Sequence, residues 1–215
     1  MHTSVNNLKK IQNQLKDLSL EKTNIIAVSK TFPLPAISPL IEFGHVHFGE
    51  NKVQEAIDKW TYVKSKNENL KLHMIGKLQT NKVKFVIPLF DYIHSLDNIK
   101  LAEKIAAEQK KIKRNLKIFI QINIGNESQK NGLLVEDLQN FYEKCTKELD
   151  LNIVGLMCIP PQTQVDNEYF KKMNDLNKII NLKELSMGMS QDYMDAISYG
   201  ATYVRIGSKI FGNRI

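Results

Sequence analysis

The chain has 215 residues, enough for one sizeable core and near the upper end of ordinary single-domain length. Its 42% hydrophobic and 25% charged content is that of a soluble globular protein, which excludes disordered and fibrous classes. Thirty Lys+Arg against 23 Asp+Glu leave a net charge of +7, but the excess is spread over helical stretches, so no nucleic-acid partner is expected.

The first twenty residues lack the apolar centre of a signal peptide, and no apolar run approaches membrane-spanning length, so a cytoplasmic protein without membrane contact is expected. Leu8, Ile11, Leu15 and Leu18 recur at helical spacing and predict an amphipathic N-terminal helix. Strand-like runs follow at 24–30, 45–50, 70–76, 90–96, 116–124, 152–159, 184–188 and 202–207. Helical stretches succeed them at 34–43, 51–66, 80–87, 98–113, 133–149, 166–181 and 191–199, with a short one after 208. Several strands are apolar on both faces, as a helix-covered parallel sheet requires. Eight strand–helix units predict an α/β fold, a single (β/α)8 TIM-type barrel with an extra N-terminal helix, spanning residues 1–215 as one domain. An open doubly wound sheet is disfavoured by the eight-fold count and by the absence of a Gly-rich fingerprint after the first strand. Cys145 and Cys158 have no metal spacing and read as reduced, buried thiols. Asn126-Glu127-Ser128 matches a glycosylation sequon, which has no meaning in a cytoplasmic chain.

In such barrels ligands are handled at the C-terminal ends of strands. The candidates are Lys30, Glu50, Asn51, Gly76, Ser95, Lys130, the Pro160-Pro161 loop, Gly188-Met189-Ser190, Arg205, Gly207 and Ser208. Lys30 ends the first strand. There a desolvated, neutral amine could attack an aldehyde, and a solvent-facing lysine is an equal alternative. Ser190 is placed to N-cap the helix 191–199, which Gly200 would end. Its hydroxyl and the free N–H groups of a first turn make an anion site, or simply a capped helix. Gly207-Ser208 repeats that chemistry one strand later, where barrels often bind phosphate. Arg205, two residues before, could reach a ligand ring or form an ion pair at the rim. His45 and His47 lack an acidic partner for a metal site, and His73 and His94 read as packed strand residues.

Taken together, IIAVSKT (25–31), HFGENKVQEA (47–56), HMIGKLQTNK (73–82), SLDN (95–98), QINIGNESQKNG (121–132), GLMCIPP (155–161), LSMGMSQD (185–192) and VRIGSKIFG (204–212) resemble the pyridoxal phosphate homeostasis protein family. That family is similar to the N-terminal barrel of alanine racemase. The resemblance runs in order over nearly the whole chain. It implies that Lys30 carries pyridoxal 5′-phosphate (PLP) as an imine, with Asn51 beside the ring. It likewise implies that Met189, Ser190, Gly207 and Ser208 form the phosphate loops and that Arg205 faces the pyridine nitrogen. Arginine cannot accept a hydrogen bond, so that nitrogen would stay unprotonated and PLP would be a weak electron sink. Two positions depart from the family pattern: Phe32 stands where many relatives have a second lysine, and Ser208 where threonine is usual.

The function so implied is binding and homeostasis of PLP (vitamin B6) without substantial catalysis, with PLP-dependent apo-enzymes as recipients and a monomeric state. The alternative is an amino-acid racemase. Racemases of this type take a second proton donor from a separate C-terminal domain. A sequence ending at Asn213-Arg214-Ile215, just after the eighth unit, is expected to lack one.

Overall fold

A computed structural model describes residues 2–127, 129–161 and 167–212. Its parallel strands are β1 (Asn24–Val28), β2 (His47–Glu50), β3 (Lys71–Met74), β4 (Tyr92–Leu96), β5 (Lys117–Ile122), β6 (Ile153–Cys158), β7 (Glu184–Met189) and β8 (Tyr203–Ile206). Each pairs with its sequence neighbours, and β8 pairs with β1 to close the barrel, so the fold is the TIM-type (β/α)8 barrel expected. The helices are α1 (Thr3–Asp17), α2 (Leu34–Glu42), α3 (Val53–Lys66), α4 (Val83–Leu89), α5 (Ile99–Ile112), α6 (Leu138–Glu143), α7 (Glu168–Ile179), α8 (Tyr193–Ser198) and α9 (Ser208–Phe211).

The barrel has two apolar layers because each strand is buried on both faces. One lies between strands and helices and holds Trp60, Phe48 and Phe90. The other, Ile26, Tyr92, Phe119, Met157 and Tyr203, fills the barrel itself. The N-terminal α1 packs against α2 and α9 through Val5, Leu8, Ile11 and Leu15. It is pinned by bonds from Asn7 Nδ2 to the Ile210 carbonyl and from Tyr193 Oη to Gln14 Oε1. Leu18, expected on the apolar face, instead follows the last helical residue and is 54% exposed.

The stretch expected as one helix at 133–149 is three pieces: a 3-10 turn at Val135–Asp137, α6, and a π turn at Lys144–Glu148. The π turn carries Cys145, which is free and buried, as is Cys158. Burial pushes both thiols up to about 12. The start of the stretch expected from 166, Ser128 of the sequon, and the termini at Met1 and 213–215 lie outside the described residues. Among the described residues no helix is long and apolar enough to cross a membrane.

Candidate functional site

A cavity of about 580 Å³ opens at the C-terminal ends of the strands, within the usual size of small-ligand sites. Lys30, Asn51, Met189, Ser190, Arg205, Gly207 and Ser208 all line it, as do Pro160 and Pro161. Glu50, Gly76, Ser95, Lys130 and Gly188 do not. Lys130 instead ion-pairs with Glu127 and bonds the Pro160 carbonyl at 3.3 Å.

Lys30 lies two residues past β1 on a turn whose next residue, Thr31, has φ +69°. A β-branched residue is strained there, so other groups must hold it. Glu55 Oε1 accepts from the Thr31 N–H at 2.5 Å and from Lys59 Nζ at 3.0 Å. Lys59 also donates to the Ser29 carbonyl and to Glu50 Oε1, each at 2.9 Å. Glu50, fully buried, further accepts from Ser29 Oγ at 2.7 Å and from Trp60 Nε1 at 2.9 Å. Burial opposes ionisation of Glu55, but the bonds from Lys59 and the Thr31 N–H outweigh it and hold its carboxyl below the usual range. The end of β1 is thus tied to α3 through charged hydrogen bonds. Glu50 was expected to touch the ligand; its role is to fasten the segment that bears Lys30.

Asn51 follows β2. Its backbone approaches Gly76 so closely that a Cβ there would lie 2.4 Å from the Asn51 carbonyl oxygen. Glycine at 76 is therefore what lets Asn51 sit at the mouth. The Asn51 side-chain oxygen is buried with no protein partner, which leaves an acceptor for a ligand donor.

Ser190 does not cap α8. That helix begins at Tyr193 with Asp192 at the cap position, and Asp192 Oδ1 accepts from the Met189 N–H at 2.6 Å. Ser190 Oγ reaches across instead, accepting from the N–H groups of Gly207 at 3.3 Å and Lys209 at 3.4 Å. The physical reason is the turn made by Asp192, which draws the Met189 amide back and turns Ser190 toward α9. The expected ending of α8 holds: Gly200 and Ala201 N–H groups return to the Ile197 and Ala196 carbonyls at 2.9 and 3.0 Å. Gly207 and Ser208 open α9 as expected.

Arg205 is 5% exposed and forms no ion pair among the described residues, so it is not the rim ion pair considered above. Nη1 donates to Ser186 Oγ at 2.7 Å and Nη2 to the Cys158 carbonyl at 2.8 Å. Burial lowers its basicity, though a guanidinium remains charged at neutral pH. A buried cation with only neutral partners beside an open cavity suits an anionic or electron-rich ligand. Phe32, where the resemblance implied a second lysine, stacks on Phe211 with centroids 4.9 Å apart and lines the same cavity. Sequence reasoning missed Asp192, Glu55 and Lys59, because their roles depend on contacts between different elements.

The alanine racemase, N-terminal domain family model matches residues 4–214. A pyridoxal phosphate homeostasis protein of Haemophilus influenzae is 36% identical, over 97% of this chain and 94% of its own. PipY of Synechococcus elongatus, whose structure has PLP bound, superposes with a TM-score of 0.88 at 32% identity, over 97% of this chain and 100% of that one. An alanine racemase of Clostridium difficile shares the fold, with a TM-score of 0.76 at 18% identity over 57% of its length.

Proposed function

This chain belongs to the alanine racemase N-terminal domain family and matches its pyridoxal phosphate homeostasis members over nearly their full length, and on that premise we propose that it binds PLP and serves PLP homeostasis rather than racemisation. The observation that carries the reading is the convergence, in one cavity, of Lys30, the buried guanidinium of Arg205 and the loops after β7 and β8, joined by the bond from Gly207 N–H to Ser190 Oγ. The donor set fits the cofactor. An amine suits its aldehyde, N–H groups and hydroxyls at a helix start suit its phosphate, and a cation that can only donate suits an unprotonated ring nitrogen. When bound, PLP supplies an electron sink, weakened by that arginine.

Lys30 would anchor the aldehyde as an imine, with Asn51 beside the ring. Ser190, the Met189 backbone, Gly207 and Ser208 would hold the phosphate. Residues 1–215 would form a single PLP-binding domain that works as a cytoplasmic monomer and passes PLP to apo-enzymes. Phe32 would give the cavity an apolar cover where the family resemblance implies a second lysine.

The test is the absorption spectrum of purified protein loaded with PLP. An imine band that borohydride fixes is expected, and Lys30→Ala should lose the covalent adduct. Single-enantiomer alanine in D2O should gain no α-deuterium at an enzymatic rate. A colourless protein, or rapid deuteration, would refute the corresponding half of the reading.

A further inference from the structure

The Arg205 guanidinium heads a line of hydrogen bonds that leaves the cavity and crosses the barrel interior. Ser186 Oγ accepts from Arg205 at 2.7 Å and stands 2.8 Å from His94 Nδ1. His94 Nε2 is 2.9 Å from His73 Nδ1, and His73 Nε2 is 2.9 Å from His47 Nδ1. The line therefore runs from β8 through β7, β4 and β3 to the first residue of β2, towards the end of the barrel opposite the cavity. Ser186, His94 and His73 are fully buried, whereas His47 is half-buried. Stacking fixes the ring planes: His73 lies 4.1 Å from Tyr92 at 13°, and His94 lies 4.3 Å from Phe119 at 20°.

A neutral imidazole has one donor and one acceptor nitrogen. Three neutral rings in line have only two consistent arrangements, all Nε2–H or all Nδ1–H, because any mixture sets two donors or two lone pairs face to face. Burial keeps the rings neutral, pushing His73 and His94 well below the usual histidine range and His47 to about 4. Charged neighbours act in the same sense at His94 (Arg205) and His73 (Lys64). At His47, Lys71 and Lys117 act with burial, and Asp91 opposes them.

Arg205 selects between the two arrangements. It can only donate, so Ser186 Oγ must accept from it. With all rings Nε2–H, the Ser186 hydroxyl donates to His94 Nδ1 and each bond in the line has one donor and one acceptor. With all rings Nδ1–H, Ser186 receives a second N–H, and its own proton has no acceptor among the described residues. That arrangement also turns the positive ends of the ring dipoles toward the guanidinium.

We propose that Ser186, His94 and His73 are positioning residues for Arg205, held by its charge in a one-way relay of Nε2–H tautomers. The relay fixes one arm of the guanidinium and so aims the rest of it at the cavity. Its bearing on the cofactor rests on the PLP reading above; the tautomer lock does not.

Long-range 1H–15N correlation spectra of the apo-protein at pH 7 report the tautomer of each ring. All three are expected as Nε2–H; an Nδ1–H, mixed or charged ring at 47, 73 or 94 overturns the proposal. Ser186→Ala should release the lock, giving mixed tautomers at His94 and His73, and Ser186→Thr should restore it. In the PLP-loaded protein, Ser186→Ala and His73→Asn should shift the pH midpoint of the imine band in the same direction, by about half a unit or more. Tyr203→Phe, which removes another buried hydroxyl of the barrel interior, should leave it in place. A midpoint unmoved by His73→Asn, or moved equally by Tyr203→Phe, reduces the line to packing and ends the proposal. Should His73→Asn fail to fold, the wild-type tautomers and the Ser186 pair still decide. Wild-type protein that takes up no PLP would defeat the functional reading alone, since the apo spectra are independent of it.

Discussion

At the scale of single residues, the arrangement behind Lys30 depends on Lys59. Its side chain is 7% exposed and compensates Glu50, which is fully buried and also accepts from Trp60 and Ser29. Removing one partner of a buried ion pair leaves an uncompensated charge, at a cost of about 3 kcal/mol or more. Lys59→Met is therefore expected to lower the melting temperature by on the order of 10 °C in a chain of this length. Adding Glu50→Gln should recover most of the loss, because the remaining group is neutral. Calorimetry of the two variants checks this; equal losses would mean that the pair contributes packing alone. The lysine that carries the proposed function was legible in the sequence as a strand-end lysine and as part of a family motif. The residues that hold it were not, because Glu55 and Lys59 look like ordinary charges on the helical stretch 51–66. Only the folded contacts of α3 with the end of β1, the Thr31 turn and Glu50 give them a task.

At the scale of elements, strand identity was readable because β-branched and aromatic runs bounded by helical periodicity have few other solutions. Helix caps were less readable, since a capping side chain is chosen by local backbone direction. Ser190 illustrates this: as a serine ahead of a helix it looks like an N-cap, but α8 starts only at Tyr193, and Asp192, at the cap position, turns its carboxylate back to the Met189 N–H rather than into the helix. Ser190 then serves the start of α9, a partner 17 residues away. The contact of β6 with β7 is another constraint that only packing reveals. A Cβ at Gly155 would lie 1.9 Å from the Glu184 carbonyl oxygen, which is backbone and cannot swing aside. Gly155→Ala should break this stretch of the ladder and leave little folded protein at 37 °C, since clashes of this kind lie in the severe tail of mutational effects. Circular dichroism of the soluble fraction would show it, and a variant that folds with an unchanged melting temperature would contradict the close approach.

At the scale of the whole molecule, the buried histidines link stability to pH. Burial is the main cause that lowers His45 and His47 to about 4 and His73 and His94 further, whereas an unfolded chain binds these protons near 6.5. Between those values the unfolded state holds more protons, so stability rises with pH. It is fully present above about pH 6.5 and is lost as the pH falls toward 4. The urea midpoint should therefore fall steadily below about pH 6.5. A midpoint independent of pH over that interval would mean that the imidazoles are not buried in neutral form.

The sequence by itself determined the barrel, the order of its eight strands, the extra N-terminal helix and several of the strand-end residues that line the cavity, Lys30, Asn51, Arg205 and Gly207 among them. Hydrophobic period and strand-end position are local properties that survive without coordinates. Tertiary structure alone decided how those residues are supported. Arg205, Ser186, His94, His73 and His47 lie 19, 92, 21 and 26 residues apart along the line that joins them. Nothing local in the sequence connects such positions. They meet because barrel closure directs alternate side chains of separate strands into one interior, where a buried polar group must find its partner across the barrel or go without.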